Sequence, residues 1–210
     1  MALTSLNRRT LLASAVVALP LALGGCDRVL PGGSSGKPAF KAVDITGAEY
    51  ARSLSLTDPD GQRRTLADYR GKVVLVFFGY TQCPDVCPTT MAELAEVKRS
   101  LGADGARVQG IFVTVDPERD TAELLKAYVA NFGPDITGLR GTPDEIKAAA
   151  KEFKVFFSKV PGKTDTSYTI DHTAGSYVFD AKGRVRLFTR YGTGAKALAD
   201  DLKLLLAEPA

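Results

Sequence analysis

The sequence predicts an α/β domain: a central, mostly parallel sheet flanked by helices, with an N-terminal β-hairpin as an extension. Two features carry that reading. Residues 73–78 are an unbroken run of apolar, β-branched and aromatic side chains, the pattern of a strand buried on both faces. Around it, strand-like and helix-like segments alternate with short connections, which implies parallel strands joined by covering helices. In chain order, Leu54 and Leu56 precede the turn Asp58-Pro59-Asp60-Gly61 and Leu66 follows it, predicting the hairpin. After 73–78, Pro88 is expected at the first position of a helix whose apolar face repeats at Met91, Leu94, Val97 and Leu101. Residues 111–115 read as the next strand. Asp120 with Glu123 reads as a capping box opening a helix with Leu124, Leu125, Tyr128, Val129 and Phe132 on its apolar face, and Thr142, Pro143 and Glu145 open another in the same way. A polar loop over 158–173 comes next, and its ligand-type residues in so long a loop suggest mobility. Strands 176–179 and 184–190, joined through Asp180-Ala181-Lys182-Gly183, predict a hairpin at the sheet's edge. Residues 195–207 close the chain as an amphipathic helix carrying Leu198, Leu202 and Leu205.

The first residues read as an address. Arg8 and Arg9 precede an apolar stretch over 11–23, too short for an ordinary spanning helix, that ends in Leu23-Gly24-Gly25-Cys26. This ending is similar to the lipobox of bacterial lipoproteins, in which the cysteine is acylated and becomes the first residue of the mature chain. The resemblance implies a signal peptide over 1–25, a lipidated Cys26 and a bacterial cell-envelope location, anchored to the membrane and facing the periplasm. Asp27 resembles the signal that keeps some lipoproteins in the inner membrane. An ordinary signal peptide with an incidental cysteine is the alternative, and Asn7-Arg8-Arg9-Thr10-Leu11-Leu12 leaves the twin-arginine and general export routes both open. Residues 26–44 include Pro31-Gly32-Gly33-Ser34-Ser35-Gly36-Lys37-Pro38 and are expected to be a flexible tether, followed by one domain over 45–208. Roughly 185 residues after the signal suffice for one sizeable core. The formal net charge is +3, with Arg8 and Arg9 among the contributors and no long run of either sign. Arg63, Arg64 and Lys72 lack the interleaved aromatics of a stacking surface, so no nucleic-acid partner is expected.

With Cys26 assigned to lipid, two of the three cysteines remain, Cys83 and Cys87. The segment Gly79-Tyr80-Thr81-Gln82-Cys83-Pro84-Asp85-Val86-Cys87-Pro88 joins the buried strand to the first long helix. Helix N-termini present unpaired N–H groups and a positive dipole end, so at least one of these thiols is expected to have a lowered pKa. In an exported protein such a pair is a structural disulfide, a redox couple or a metal clasp, and a loop this short gains little from stapling. His172, the single histidine, stands in Asp171-His172-Thr173. Lone imidazoles usually serve surface hydrogen bonds, but strand ends on one edge of a parallel sheet converge and bring it within reach of the cysteines. Two thiolates and one imidazole suit copper, the sulfurs favouring Cu(I) and the nitrogen tolerating Cu(II). Structural zinc normally takes four protein ligands, which leaves it the less fitting occupant. Gly192-Thr193-Gly194 lacks the rest of a phosphate loop and reads as a turn.

At Cys83-Pro84-Asp85-Val86-Cys87-Pro88, Thr114-Val115-Asp116-Pro117-Glu118-Arg119-Asp120-Thr121 and Asp171-His172-Thr173, the chain resembles the Sco/SenC family. Members of that family resemble thioredoxin and help to assemble the copper centre of cytochrome c oxidase. The resemblance implies a thioredoxin-like fold, one copper ion held by Cys83, Cys87 and His172, and the oxidase's copper-site subunit as partner, with another periplasmic copper chaperone as a second. Many members use a transmembrane helix as anchor, where this chain offers Cys26. Asp116, Asp171 and Tyr80 are candidates to support the ligands and are equally readable as cap or turn residues. Two rival functions stand beside the metallochaperone. One is a thiol-disulfide oxidoreductase using Cys83 and Cys87 as catalytic pair, against which the three-residue spacer weighs. The other is a copper or redox sensing or storage module.

Overall fold

The computed structural model describes residues 39–164 and 167–209, so the expected signal peptide, Cys26 and the tether as far as residue 38 lie outside the described residues. The elements run β1 (Val43–Asp44), β2 (Ser55–Thr57), β3 (Arg63–Thr65), β4 (Val73–Gly79), α1 (Val86–Ser100), β5 (Val108–Thr114), α2 (Ala122–Ala130), β6 (Ile136–Leu139), α3 (Pro143–Glu152), β7 (Phe157–Pro161), β8 (Tyr168–His172), β9 (Gly175–Phe179), β10 (Val185–Arg190) and α4 (Ala195–Leu206). The main sheet has the order β1-β10-β9-β4-β5-β6. Its parallel part is β4–β5–β6, and β9, β10 and β1 extend it in antiparallel fashion, so the sheet is mixed. The expected N-terminal hairpin is β2–β3.

Every residue of β4 is buried, as its apolar run requires, and the strand lies inside the sheet between β9 and β5. Alternation along the strand sends Phe77 and Phe78 to opposite faces. On the Phe77 face, Phe112 of β5 and Gly138 of β6 follow in register, and α1 and α2 cover them. A Cβ on Gly110 would stand 2.8 Å from Leu94 of α1, and one on Gly138 would stand 2.6 Å from Leu125 of α2, so both helices lie against bare backbone. On the other face, Phe78 meets Phe153 just beyond α3 at 5.1 Å between ring centroids, and Phe153 also packs on Tyr177 and Phe179. The sheet is thus covered on both sides.

Several local expectations are corrected. Helix α1 starts at Val86, which puts Pro88 at its third position; proline is tolerated there because the first-turn N–H groups have no intrahelical acceptor. Thr121, not Asp120, caps α2, its hydroxyl accepting from Leu124 N–H. The Thr142–Glu145 capping box of α3 forms as expected. The stretch 158–173 is largely a hairpin, β7–β8, outside the main sheet. Its polar composition hid it: of its strand residues only Ile170 is buried, so ladder hydrogen bonds rather than an apolar face define it. Strand β6 carried no expectation. At the N-terminal side, β1 falls within the stretch expected as tether. The buried Asp201 carboxylate accepts from Lys41 N–H and Ala42 N–H, both at 2.8 Å, and holds this segment on α4.

Candidate metal centre

Strand β4 delivers the chain to Gly79, where side-chain space ends. A Cβ there would lie 2.8 Å from both Cys87 Sγ and the Phe77 ring. Glycine is therefore what lets α1 bring Cys87 against the end of the strand. Cys87 is fully buried in the first turn of α1, and Cys83 sits partly buried in the connecting loop, both as free thiols. The loop is pinned at Thr81. Asp120, itself fully buried, accepts from Thr81 N–H at 3.1 Å, from the Thr81 hydroxyl at 2.6 Å and from the Thr114 hydroxyl at 2.5 Å. A carboxylate between two elements thus fixes the backbone two residues before Cys83. Tyr80 is buried, and its hydroxyl accepts from Ile170 N–H at 3.2 Å, which ties the loop to β8.

His172 is the last residue of β8, opposite Phe157 in the hairpin register. Its ring stands edge-on to Phe77 and Tyr80, with centroids 5.8 and 6.0 Å away. His172 Nε2 lies 3.3 Å from Cys87 Sγ, and Nδ1 lies 3.1 Å from the Thr173 carbonyl oxygen. A carbonyl only accepts, so Nδ1 carries the proton and Nε2 turns its lone pair toward the sulfur. Burial also pushes the imidazole below its ordinary value, which favours the neutral form. This is the tautomer and charge state of a ligating histidine, oriented through its other nitrogen.

The ligand atoms of Cys83, Cys87 and His172 all lie within 4.8 Å of one another, and among the described residues they form a group able to hold a metal ion. Around a trigonal three-coordinate ion with bonds of about 2.0 Å to nitrogen and about 2.3 Å to sulfur, ligand atoms stand roughly 3.7–4.0 Å apart. Shifts below about an ångström bring the three residues to that spacing, so donor set and geometry both fit a thiophilic ion such as copper. The expected thiol acidification meets an opposing force at Cys87. Burial pushes that thiol well up, and Cys83 and the Asp120 carboxylate push it further, outweighing the hydrogen bond with the Tyr80 backbone. Position in the first turn of a helix lowers a pKa only where water or charge can stabilise the thiolate, and Cys87 has neither.

Of the supporting candidates, Tyr80 touches both sides of the site. Asp116 is buried but turns to Arg119 and Tyr168 rather than to a sulfur, and Asp171 is exposed. Asp120, expected as a cap, instead pins the Cys83 loop, and Arg119 and Tyr168, which carry no local signature of a site, support the β7–β8 hairpin; Asp120 and Arg119 both lie in the charge-dense segment 114–121. Gly192-Thr193-Gly194 is a turn leading into α4.

The SCO1/SenC family model matches residues 43–207. Among curated relatives, the chain is 41% identical over 140 residues to the mitochondrial "Protein SCO2 homolog" of Mus musculus, covering 66% of this chain and 54% of that protein. It is 30% identical over 191 residues to the "SCO2-like protein" of Rickettsia felis, covering 90% of this chain and 93% of that one. The chain thus spans about half the length of the mammalian relative and nearly all of the bacterial one. Among solved structures, copper-bound ScoI of Bradyrhizobium japonicum is 44% identical, with a TM-score of 0.67 over 73% of this chain and 98% of that one. The mixed sheet with helices on both faces is the thioredoxin-like architecture of these neighbours. With the family's segment spanning the whole folded domain, this chain belongs to the SCO1/SenC family.

Proposed function

We propose that this protein is a copper-binding metallochaperone that helps to assemble the copper centre of cytochrome c oxidase. The observation that carries the reading is the convergence of two thiols and a neutral, correctly oriented imidazole within 4.8 Å. Copper is the cargo. Cys83 and Cys87 supply thiolates and His172 completes the site. Cys83, the more exposed sulfur, is where an acceptor thiol enters, so that ligands are exchanged one at a time onto the acceptor. The copper-bound relative and the family membership support the ion, and the oxidase's copper-site subunit is the acceptor under this reading, with a periplasmic copper chaperone as donor. Burial of Cys87 favours ion binding over free thiolate: the proton leaves as the sulfur gains a metal bond.

The same proposal includes an acylated Cys26 as anchor to the inner membrane on the periplasmic side, after cleavage of a signal peptide over 1–25. Mass spectrometry of the mature N-terminus tests it: an unmodified or absent Cys26 would remove the anchor.

The test of the function is an anaerobic competition titration of the reduced protein against a strong Cu(I) chelator, with Cys83→Ser and His172→Ala. Tight one-to-one retention is expected, abolished in Cys83→Ser and weakened in His172→Ala with the fold intact. Retention unchanged by His172→Ala would sink the three-ligand site. A second reading rests on the pairing of a partly exposed Cys83 with a buried Cys87. Here Cys83 thiolate attacks a partner disulfide and releases one partner thiolate. Cys87 then attacks Cys83 and releases the second, leaving this chain oxidised and the partner reduced by two electrons. Failure to compete for copper, together with reduction of an acceptor disulfide, would favour it.

A further inference from the structure

The hairpin that carries His172 is attached to the domain at few points. β7–β8 forms its own two-stranded sheet, and most of its residues are exposed. At its base, Phe156 and Thr173 exchange hydrogen bonds, and near its middle Ile170 is buried under the Tyr80 hydroxyl. Beneath it lies a cavity of about 260 Å³, bordered by Phe157 and Ile170 of the hairpin, Val115, and Pro143 and Ile146 of α3. This cleft is partly open to solvent, and apart from Ile170 and the partly buried Phe157 and Tyr168 close packing does not hold the hairpin on that side.

A polar latch does. Arg119 donates through Nε to Asp116 at 2.5 Å and through Nη1 to the Tyr168 carbonyl of β8 at 3.0 Å. Its guanidinium lies 3.6 Å from the centroid of the Tyr168 ring and 5.8 Å from that of Tyr80. The Tyr168 hydroxyl closes the circuit by donating to the other Asp116 oxygen at 2.9 Å. Asp116 is buried, and its own N–H is held by the Thr114 hydroxyl of β5, so the circuit is rooted in the main sheet. Arg119 thus reads one hairpin residue twice, by carbonyl and by ring face, from a place between Tyr168 and Tyr80, and the Tyr80 ring in turn stands against His172. Only a planar fork that stacks and donates in-plane does both, and lysine does not.

We propose that Arg119 is a positioning residue for His172: with Asp116 and Tyr168 it latches the β7–β8 hairpin so that the imidazole is already placed against Cys87 before an ion arrives. The inference rests on the copper reading for its consequence and on the metal-free protein for its cause. An unlatched hairpin leaves the ligand-ready position for part of the time, and apparent affinity falls by the fraction lost. Occupancy of about one-tenth would weaken copper binding about tenfold.

The experiment combines two readouts on the full chain. In the metal-free protein, amide exchange of β8 and the side-chain nitrogen spectrum of His172 are recorded for the wild type, Arg119→Lys and Tyr168→Phe. Copper(I) affinity is measured by chelator competition for the same variants with and without His172→Ala. Arg119→Lys is expected to speed β8 exchange about tenfold with β4 unchanged, to average the two His172 nitrogens toward mixed tautomers, and to weaken copper binding about tenfold only while His172 is present. Tyr168→Phe, which removes one bond of the circuit, is expected to act in the same direction by a few-fold and serves if Arg119→Lys does not fold. Equal losses with and without His172, or unchanged β8 exchange and His172 spectrum, would overturn the latch while leaving the copper site standing. A wild type that retains no copper would overturn the copper reading, and the metal-free readouts would then decide the latch alone.

Discussion

Replacing Asp120 by alanine removes a fully buried carboxylate that accepts three hydrogen bonds, from Thr81 N–H, the Thr81 hydroxyl and the Thr114 hydroxyl. Thr114 is itself fully buried, so its hydroxyl has no water to turn to. Each buried donor left without a partner costs about 1–3 kcal/mol. Only the Thr114 donor is fully enclosed; the two on Thr81 are partly buried and all three partly relax together, so the expected loss is about 3–5 kcal/mol, below the full sum. That is a large share of the roughly 5–15 kcal/mol that holds a typical domain. A helix cap, the role the local pattern alone assigns to Asp120, is worth about 1 kcal/mol. Thr121→Ala removes the cap that the structure shows and supplies the comparison at about 1 kcal/mol. Asp120→Asn keeps the shape and one acceptor oxygen, and its amide can donate to the Thr81 hydroxyl, so a loss of about 1–2 kcal/mol is expected. Urea unfolding followed by circular dichroism, with slopes compared to confirm that the unfolded states match, measures all three. The reasoning fails if Asp120→Ala costs no more than Thr121→Ala.

Two further outcomes follow from single contacts. Gly79→Ala drives a methyl to 2.8 Å from Cys87 Sγ and the Phe77 ring and 3.1 Å from Phe112; the expected overpacking cost is about 1–3 kcal/mol. Because the sulfur is the atom displaced, copper affinity should fall by more than in a core variant of equal stability, and equal affinity in the two would count against the close approach. Asp180 is buried, which opposes its ionisation, but the Arg184 side chain and backbone N–H, with Arg186, hold its pKa below the ordinary 3.8. A depressed carboxyl stabilises the fold above the unfolded-state pKa and loses that contribution as pH falls through the folded value. The gap in stability between the wild type and Asp180→Asn should therefore be constant from neutral pH down to about pH 5 and close below about pH 3.8, in urea unfolding across that range. A gap that stays constant to low pH would contradict the assignment.

Where burial and periodicity are local, they were legible along the chain. Residues 73–78 could form only a central strand, since a run of β-branched and aromatic residues without alternation has no face to offer water. The capping box at Thr142 and Glu145 formed as its spacing implies, because both partners lie within one turn. The choice of Cys83, Cys87 and His172 rested on donor chemistry together with the three motifs that resemble the Sco/SenC family. What brought them together did not. His172 stands 85 residues beyond Cys87 and reaches it on a hairpin with almost no apolar signature, formed by ladder hydrogen bonds and latched by Arg119, Asp116 and Tyr168. The cap expected at Asp120 belongs to its neighbour Thr121, and only contacts from β5 and from the Cys83 loop decided that Asp120 turns inward. Cys87 follows the same division. Its place at a helix N-terminus is a local fact that lowers a thiol pKa, whereas its complete burial against the end of β4 at Gly79 is a tertiary one that raises it. Sequence determines which chemical groups are present and which segments must hide from water. Which of those groups face one another, and how much water reaches them, depends on side chains arriving from distant elements, and that only the packed fold decides.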